Sequence, residues 1–135
     1  RMVGIEHLKG RTYQHISGGE QQLVLIARAL AQKAKILIMD EPCANLDYGN
    51  QLHILEVMKN LSKNGYLILQ STHNPEHAFL YADQVLVLNQ HKIVAQGDPY
   101  EVLNEKILFD IYDTNISLCN IGNIKVCIPS NRLPS

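Results

Sequence analysis

The segment Ile36-Leu37-Ile38-Met39-Asp40-Glu41-Pro42 constrains this chain more than any other. Its apolar run has the length of a strand and offers aliphatic side chains to both sides of a sheet, as strands packed between helices do. A strand buried on both faces is therefore expected. The run ends abruptly in two adjacent carboxylates, which puts both acids at the carboxyl edge of a parallel sheet, where open α/β folds bind ligands. An aspartate there can hold Mg²⁺, directly or through water. A glutamate after it can orient or deprotonate a water for attack on a phosphate. The bland alternative is a strand that ends in a solvated acidic turn.

A second pattern, Ile16-Ser17-Gly18-Gly19-Glu20-Gln21-Gln22, lies one helix upstream. Leu23, Ile26, Ala27 and Leu30 fall at i, i+3, i+4 and i+7, one apolar stripe of a helix. A hydroxyl and two glycines lead into that helix. Glycine lets backbone approach a phosphate closely, and the free amides and dipole of a helix start favour an anion. Taken alone, this is equally a serine cap in a glycine turn. Its combination with Asp40-Glu41 shifts the reading toward phosphate chemistry.

The rest of the pattern alternates. Residues 1–16 read as a short helix and a loop. A helix follows Asp47, with Ile54, Val57, Met58 and Leu61 on one face, and Gly65 ends it. Tyr66 to Gln70 is a further strand, and Asn74-Pro75 a helix start. Gln84 to Leu88 and Lys92 to Gln96 are two strands joined by a tight turn. Asp98 to Glu101 opens a helix through about Asn104, and Glu105 to Tyr112 forms another. Ile116 to Cys119 and Ile124 to Ile128 make a small hairpin. The fold class is α/β, with an antiparallel element late in the chain.

Composition sets limits on this. The 135 residues provide for one modest core, and 46% hydrophobic with 19% charged residues argues against disorder. A formal charge of -1 gives no reason to expect nucleic acid as partner. No apolar run approaches the roughly 18 residues of a membrane span, and no signal-peptide pattern opens the chain. Cys43, Cys119 and Cys127 form no CxxC pair and read as reduced, small apolar side chains. An opening at Arg1 rather than Met suggests a fragment.

Together these residues resemble the ABC ATPase family. Ile16 to Glu20 is similar to the family's signature sequence, and Ile36 to Pro42 to its Walker B segment. Cys43-Ala44-Asn45-Leu46-Asp47 looks like the D-loop, and Ser71-Thr72-His73 like the segment bearing the switch histidine. The resemblance covers essentially the whole chain. It implies the C-terminal part of a P-loop NTPase domain, with a mainly parallel sheet, flanking helices and a C-terminal hairpin. Residues 1–34 would hold the end of the helical subdomain and the signature helix, 35–113 the core, and 114–135 the hairpin and tail.

The resemblance also implies roles. Ser17, Gly18, Gly19 and Glu20 would belong to the signature, whose Ser17 and Gly19 reach the γ-phosphate of ATP held by the opposite subunit of a head-to-tail dimer. Asp40 would support Mg²⁺, Glu41 would polarise the attacking water, His73 would contact the γ-phosphate, and Asp47 would link the two sites. The implied cofactors are ATP and Mg²⁺. The signature departs from the commoner pattern at Ile16 and Glu20, and Cys43 stands where threonine is usual. The larger departure is the phosphate loop, G-x-x-x-x-G-K-[ST], which the 135 residues do not contain. Gly4 to Thr12 has one residue too many between its glycines and Arg for Lys. The chain alone is expected neither to bind ATP tightly nor to hydrolyse it.

Among the family's branches, Ala82 to Leu88 and Ile93 to Leu103 are similar to importer ATPases. The tail from Ile107 to Pro129 resembles those serving iron-siderophore, haem and cobalamin uptake. That implies a cytoplasmic subunit, peripheral on the inner face of the cell membrane, working with a second ATPase subunit, permease subunits and, indirectly, a substrate-binding protein. A non-catalytic remnant or interaction module, or a soluble ABC ATPase, stands as the alternative. His73-Asn74-Pro75-Glu76-His77 matches the zinc-peptidase pattern H-x-x-E-H, but Pro75 marks a helix start between the two histidines. A triad of Ser17, His73 and Asp47 lacks the G-x-S-x-G turn.

Overall fold

The computed structural model describes residues 2–132, which divide into two compact units, one running to His73 and one beginning at Asn74. In the first, short 3₁₀ turns at Glu6–Leu8 and Tyr13–His15 lead to helix α1, Gly18–Ala31. Strand β1, Ile36–Met39, helix α2, Tyr48–Lys63, and strand β2, Leu67–Gln70, follow. Side-chain caps set where the helices begin. The Asp47 carboxylate accepts the Asn50 amide at 2.9 Å, and Gly65, at φ +84°, turns the chain out of α2 in a left-handed conformation that a side chain would oppose.

The strands β1 and β2 pair in parallel, Ile36 opposite Leu67 through Met39 opposite Gln70. Helix α2 packs against α1 and β2, and it buries Ile54, Leu55, Val57, Met58 and Leu61, the apolar face expected from its spacing. The expectation that β1 is buried on both faces is overturned. Leu37 is 4% exposed, but Ile36 and Ile38 are 57% and 75% exposed. Leu67 and Leu69, their partners across the pair, point the same way and are exposed as well. On this side an open cleft separates Leu25 and Ala29 of α1 from Ile36 and Ile38. Apolar residues on both sides of a strand permit burial. Covering elements have to complete it.

The second unit begins with helix α3, Pro75–Tyr81, capped by Asn74. Strands β3, Val85–Asn89, and β4, Lys92–Gly97, form an antiparallel hairpin. The one-turn helix α4, Pro99–Val102, ends earlier than the sequence suggests, and α5 spans Glu105–Tyr112. Strands β5, Ile116–Ile121, and β6, Ile124–Pro129, make the expected terminal hairpin. Ala78, Phe79, Val87 and Leu103 form the core of this unit, with Leu118 and Cys127 of the hairpin packed against them. Polar contacts fix the hairpin in place. The Cys127 amide donates to Glu76 Oε1 at 3.2 Å, and Lys125 Nζ donates to the Tyr100 carbonyl at 2.7 Å. Burial pushes the Cys127 thiol up to about 11, consistent with a packing role. The α/β class holds, and among the described residues the strands form one parallel pair and two antiparallel hairpins.

Candidate functional site

The parallel register of β1 and β2 decides which groups meet. Because Met39 stands opposite Gln70, the chain leaves both strands side by side, at Asp40-Glu41 and at Ser71-Thr72-His73. Ser71 then bridges the two acids. Its hydroxyl donates to Asp40 Oδ1 at 2.5 Å and accepts the Glu41 amide at 2.9 Å. The Ser71 amide donates to the Met39 carbonyl at 3.0 Å, continuing the ladder by one step. The backbone of Glu41 lies in the left-handed region, at φ +44°, uncommon for a residue with a side chain. The Ser71 hydroxyl therefore satisfies the amide of a residue that has left the strand.

That turn brings the Glu41 carboxylate to His73, with Oε1 and Nε2 2.6 Å apart. The contact is an ion pair when the imidazole is protonated and a hydrogen bond when neutral Nε2 carries the proton. The side chains are 40% and 83% exposed, so the pair faces solvent and a substrate could reach it. Two of the site residues expected from the sequence, Glu41 and His73, thus meet, with Asp40 beside them.

A second cluster contains the other expected residues. Ser17 caps α1, its hydroxyl accepting the Glu20 amide at 3.2 Å. Glu20 reaches back and accepts the Ser17 amide at 2.8 Å. This reciprocal capping box satisfies two helix-start donors, and the bond from the Ser17 amide, followed by His7, holds the Glu20 carboxyl below its usual range. Gln21 Nε2 donates to the Tyr13 carbonyl at 3.1 Å and anchors the incoming loop. Gly18 is exposed and Gly19 buried. Asp47 caps α2, and its two bonds from Asn50 hold its carboxyl below the ordinary value. Gln51 Nε2 donates to the Leu46 carbonyl at 2.9 Å, closing the turn before it.

The donor set suits a hard cation. Asp40 and Glu41 offer carboxylate oxygens, and Asp40 keeps capacity beyond the bond from Ser71, which fits Mg²⁺ bound through one or two carboxylates, waters and phosphate oxygens. Pro75 opens α3, so His73 precedes the helix that holds His77 and the two histidines do not share the one continuous helix that the zinc pattern calls for. The sequence reading missed Ser71 and Asn50. A hydroxyl one residue beyond a strand is an available signal, but its meaning depends on the register of the pair. Asn50 bonds to Asp47 only three residues away, but an asparagine in the first turn of a helix is too common to mark a site.

Comparison with known proteins gives consistent results. The family model for ABC transporters matches residues 1–44. An uncharacterized ABC transporter ATP-binding protein of Haemophilus influenzae is 48% identical over 84% of this chain and 43% of its own length. The hemin import ATP-binding protein HmuV of Photobacterium damselae subsp. damselae is 41% identical over 82% of this chain and 43% of its own length. The chain thus spans less than half of these relatives. Among solved structures, a metal-chelate type ABC transporter in an inward-facing conformation superimposes with a TM-score of 0.84 at 25% identity, covering 97% of this chain and 55% of that one.

Proposed function

The chain belongs to the ABC transporter family of ATP-binding proteins, and from that premise we propose that it is part of the ATP-hydrolysing subunit of a membrane importer for metal chelates, of the iron-siderophore, haem or cobalamin kind. The observation that carries this reading is the Glu41–His73 pair beside Asp40. The substrate class draws support from the hemin importers and the metal-chelate transporter among the similar proteins.

Phosphoryl transfer asks a protein mainly for positioning and charge stabilisation. Bound Mg²⁺ would supply neutralisation of phosphate charge, with Asp40 as its carboxylate. Glu41 would accept a hydrogen bond from the attacking water and take up its proton. His73 would hold the Glu41 carboxylate in line and donate toward the γ-phosphate. Ser71 would keep Asp40 and Glu41 in register. Ser17, Gly18, Gly19 and Glu20 would present the start of α1 to ATP held by a second subunit in a head-to-tail dimer, and Asp47 would communicate between the two sites. The assembly would sit on the cytoplasmic side of the membrane, against permease subunits that receive substrate from a binding protein.

Tagged chain recovered from detergent-solubilised membranes of the source cells is expected to carry a permease subunit with it. Recovery from the soluble fraction alone would exclude an importer and favour a soluble ATPase.

One observation favours the non-catalytic reading for the chain in isolation, namely that its 135 residues contain no phosphate loop. In an isothermal titration of the purified chain with ATP and Mg²⁺, no saturation is expected. The dipole of one capped helix start contributes at most about 2 kcal/mol to anion binding, far less than the roughly 8 kcal/mol of a micromolar site. Tight, stoichiometric binding would show that these residues build a nucleotide site unaided.

A further inference from the structure

The Ser17–Gly19 turn, proposed to face a neighbouring subunit's nucleotide, and Asp47, proposed to link the two sites, start different helices, yet one side chain lies between them. Asn50, in the first turn of α2, donates from Nδ2 to Asp47 Oδ2 at 2.5 Å, while its backbone amide donates to Asp47 Oδ1 at 2.9 Å. Its other face meets α1. A methyl group at Gly19 would stand 2.5 Å from Asn50 Oδ1, 2.7 Å from Cγ and 3.2 Å from Cβ. Contacts this short leave no room for a side chain, and Asn50 cannot easily rotate away because its amide is committed to Asp47. Gly18 is close as well, since a methyl there would lie 3.3 Å from Leu46 Cδ2, one residue before Asp47.

From this packing we infer that Asn50 is a positioning residue that ties the Ser17–Gly19 turn to Asp47, so that the two elements presented to the opposite subunit move as one body. Glycine at position 19 then has a cause beyond close approach to phosphate, because it makes room for the Asn50 amide. A displacement of either helix start reaches the other through a contact with almost no slack, as close-packed interiors transmit strain. The inference rests on the ATPase reading for its meaning, but not for its test.

The test follows the Asp47 carboxyl by carbon-detected NMR titration in the full chain, with no nucleotide present. Asn50→Ala removes one of its hydrogen bonds, so its midpoint should move up toward the ordinary value. Gly19→Ala, which does not touch Asp47, should move it up as well, because the new methyl pushes the amide off the carboxylate. In the double variant G19A/N50A the midpoint should match that of N50A alone, since the methyl now occupies the vacated space. A merely structural Asn50 would leave the Asp47 midpoint in G19A at its wild-type position, and that result, or a double variant shifted by the sum of the singles, overturns the inference. If G19A alone does not fold, the double variant should, and failure of both would also overturn it. None of these readings involves ATP, so the failure of the ATPase reading would show separately, in the recovery of permease.

Discussion

If the proposed reading holds, Glu41→Gln is expected to lower ATP hydrolysis by the proposed transporter complex by about 10²–10⁴-fold, the usual contribution of a positioned proton acceptor. The substitution keeps the shape of the side chain, and the amide oxygen can still accept from His73 Nε2, so the 2.6 Å contact has a counterpart in the variant. What disappears is the capacity to take a proton from water, which matters only in the transition state. The loss should therefore fall on kcat, with KM for ATP nearly unchanged. Steady-state hydrolysis in proteoliposomes, with nucleotide binding measured in parallel, separates the two. A variant that keeps more than about half of the wild-type kcat would remove Glu41 from the chemistry, since general-base loss costs far more than a factor of two.

The second large effect concerns stability. Ile54 is fully buried on α2, and Leu55, Met58 and Leu61 of the same helix are nearly so. Replacing it with alanine removes three methyl or methylene groups and leaves a cavity, at a cost of about 2–5 kcal/mol. Domains of this kind have about 5–15 kcal/mol in total, and the first unit leaves an apolar sheet face in solvent that contributes little. Ile54→Ala should thus move the urea midpoint well below that of the wild type, with a similar slope. Because α2 begins at Asp47 and packs on α1 and β2, loss of the helix would disperse both clusters of site residues. An unchanged midpoint would mean that the α2 face is not the core of the unit.

Much of this arrangement was legible in the residues. The apolar spacing of Ile54, Val57, Met58 and Leu61 announced the buried face of α2, and the run Ile36 to Met39 announced β1, because both signals are local and repeat with the period of the element. The turn chemistry of Asn74-Pro75 and the terminal hairpin were readable for the same reason. Burial of Ile36 and Ile38 was not, because a strand's own side chains say nothing about what lies against them. Ser71 and Asn50 escaped notice as well. Ser71 acts across a strand register, on partners 31 and 30 positions away, and although Asn50 bonds locally to Asp47, its packing against Gly19 spans 31 positions between two helices. Sequence spacing along one element does not encode such distances.

The left-handed backbone at Glu41 also governs how substitutions there should be interpreted. A residue with a β-carbon pays about 1–2 kcal/mol in that region, a branched one more, and asparagine or glycine least. Position 41 thus filters its occupants by backbone shape before their functional groups come into play. Inactivity of a valine or isoleucine replacement would report a chain that no longer turns at the strand end, with the serine hydroxyl deprived of the amide it now accepts. Only glutamine, unbranched and of equal length, isolates the missing negative charge from the missing turn and the lost contact with His73.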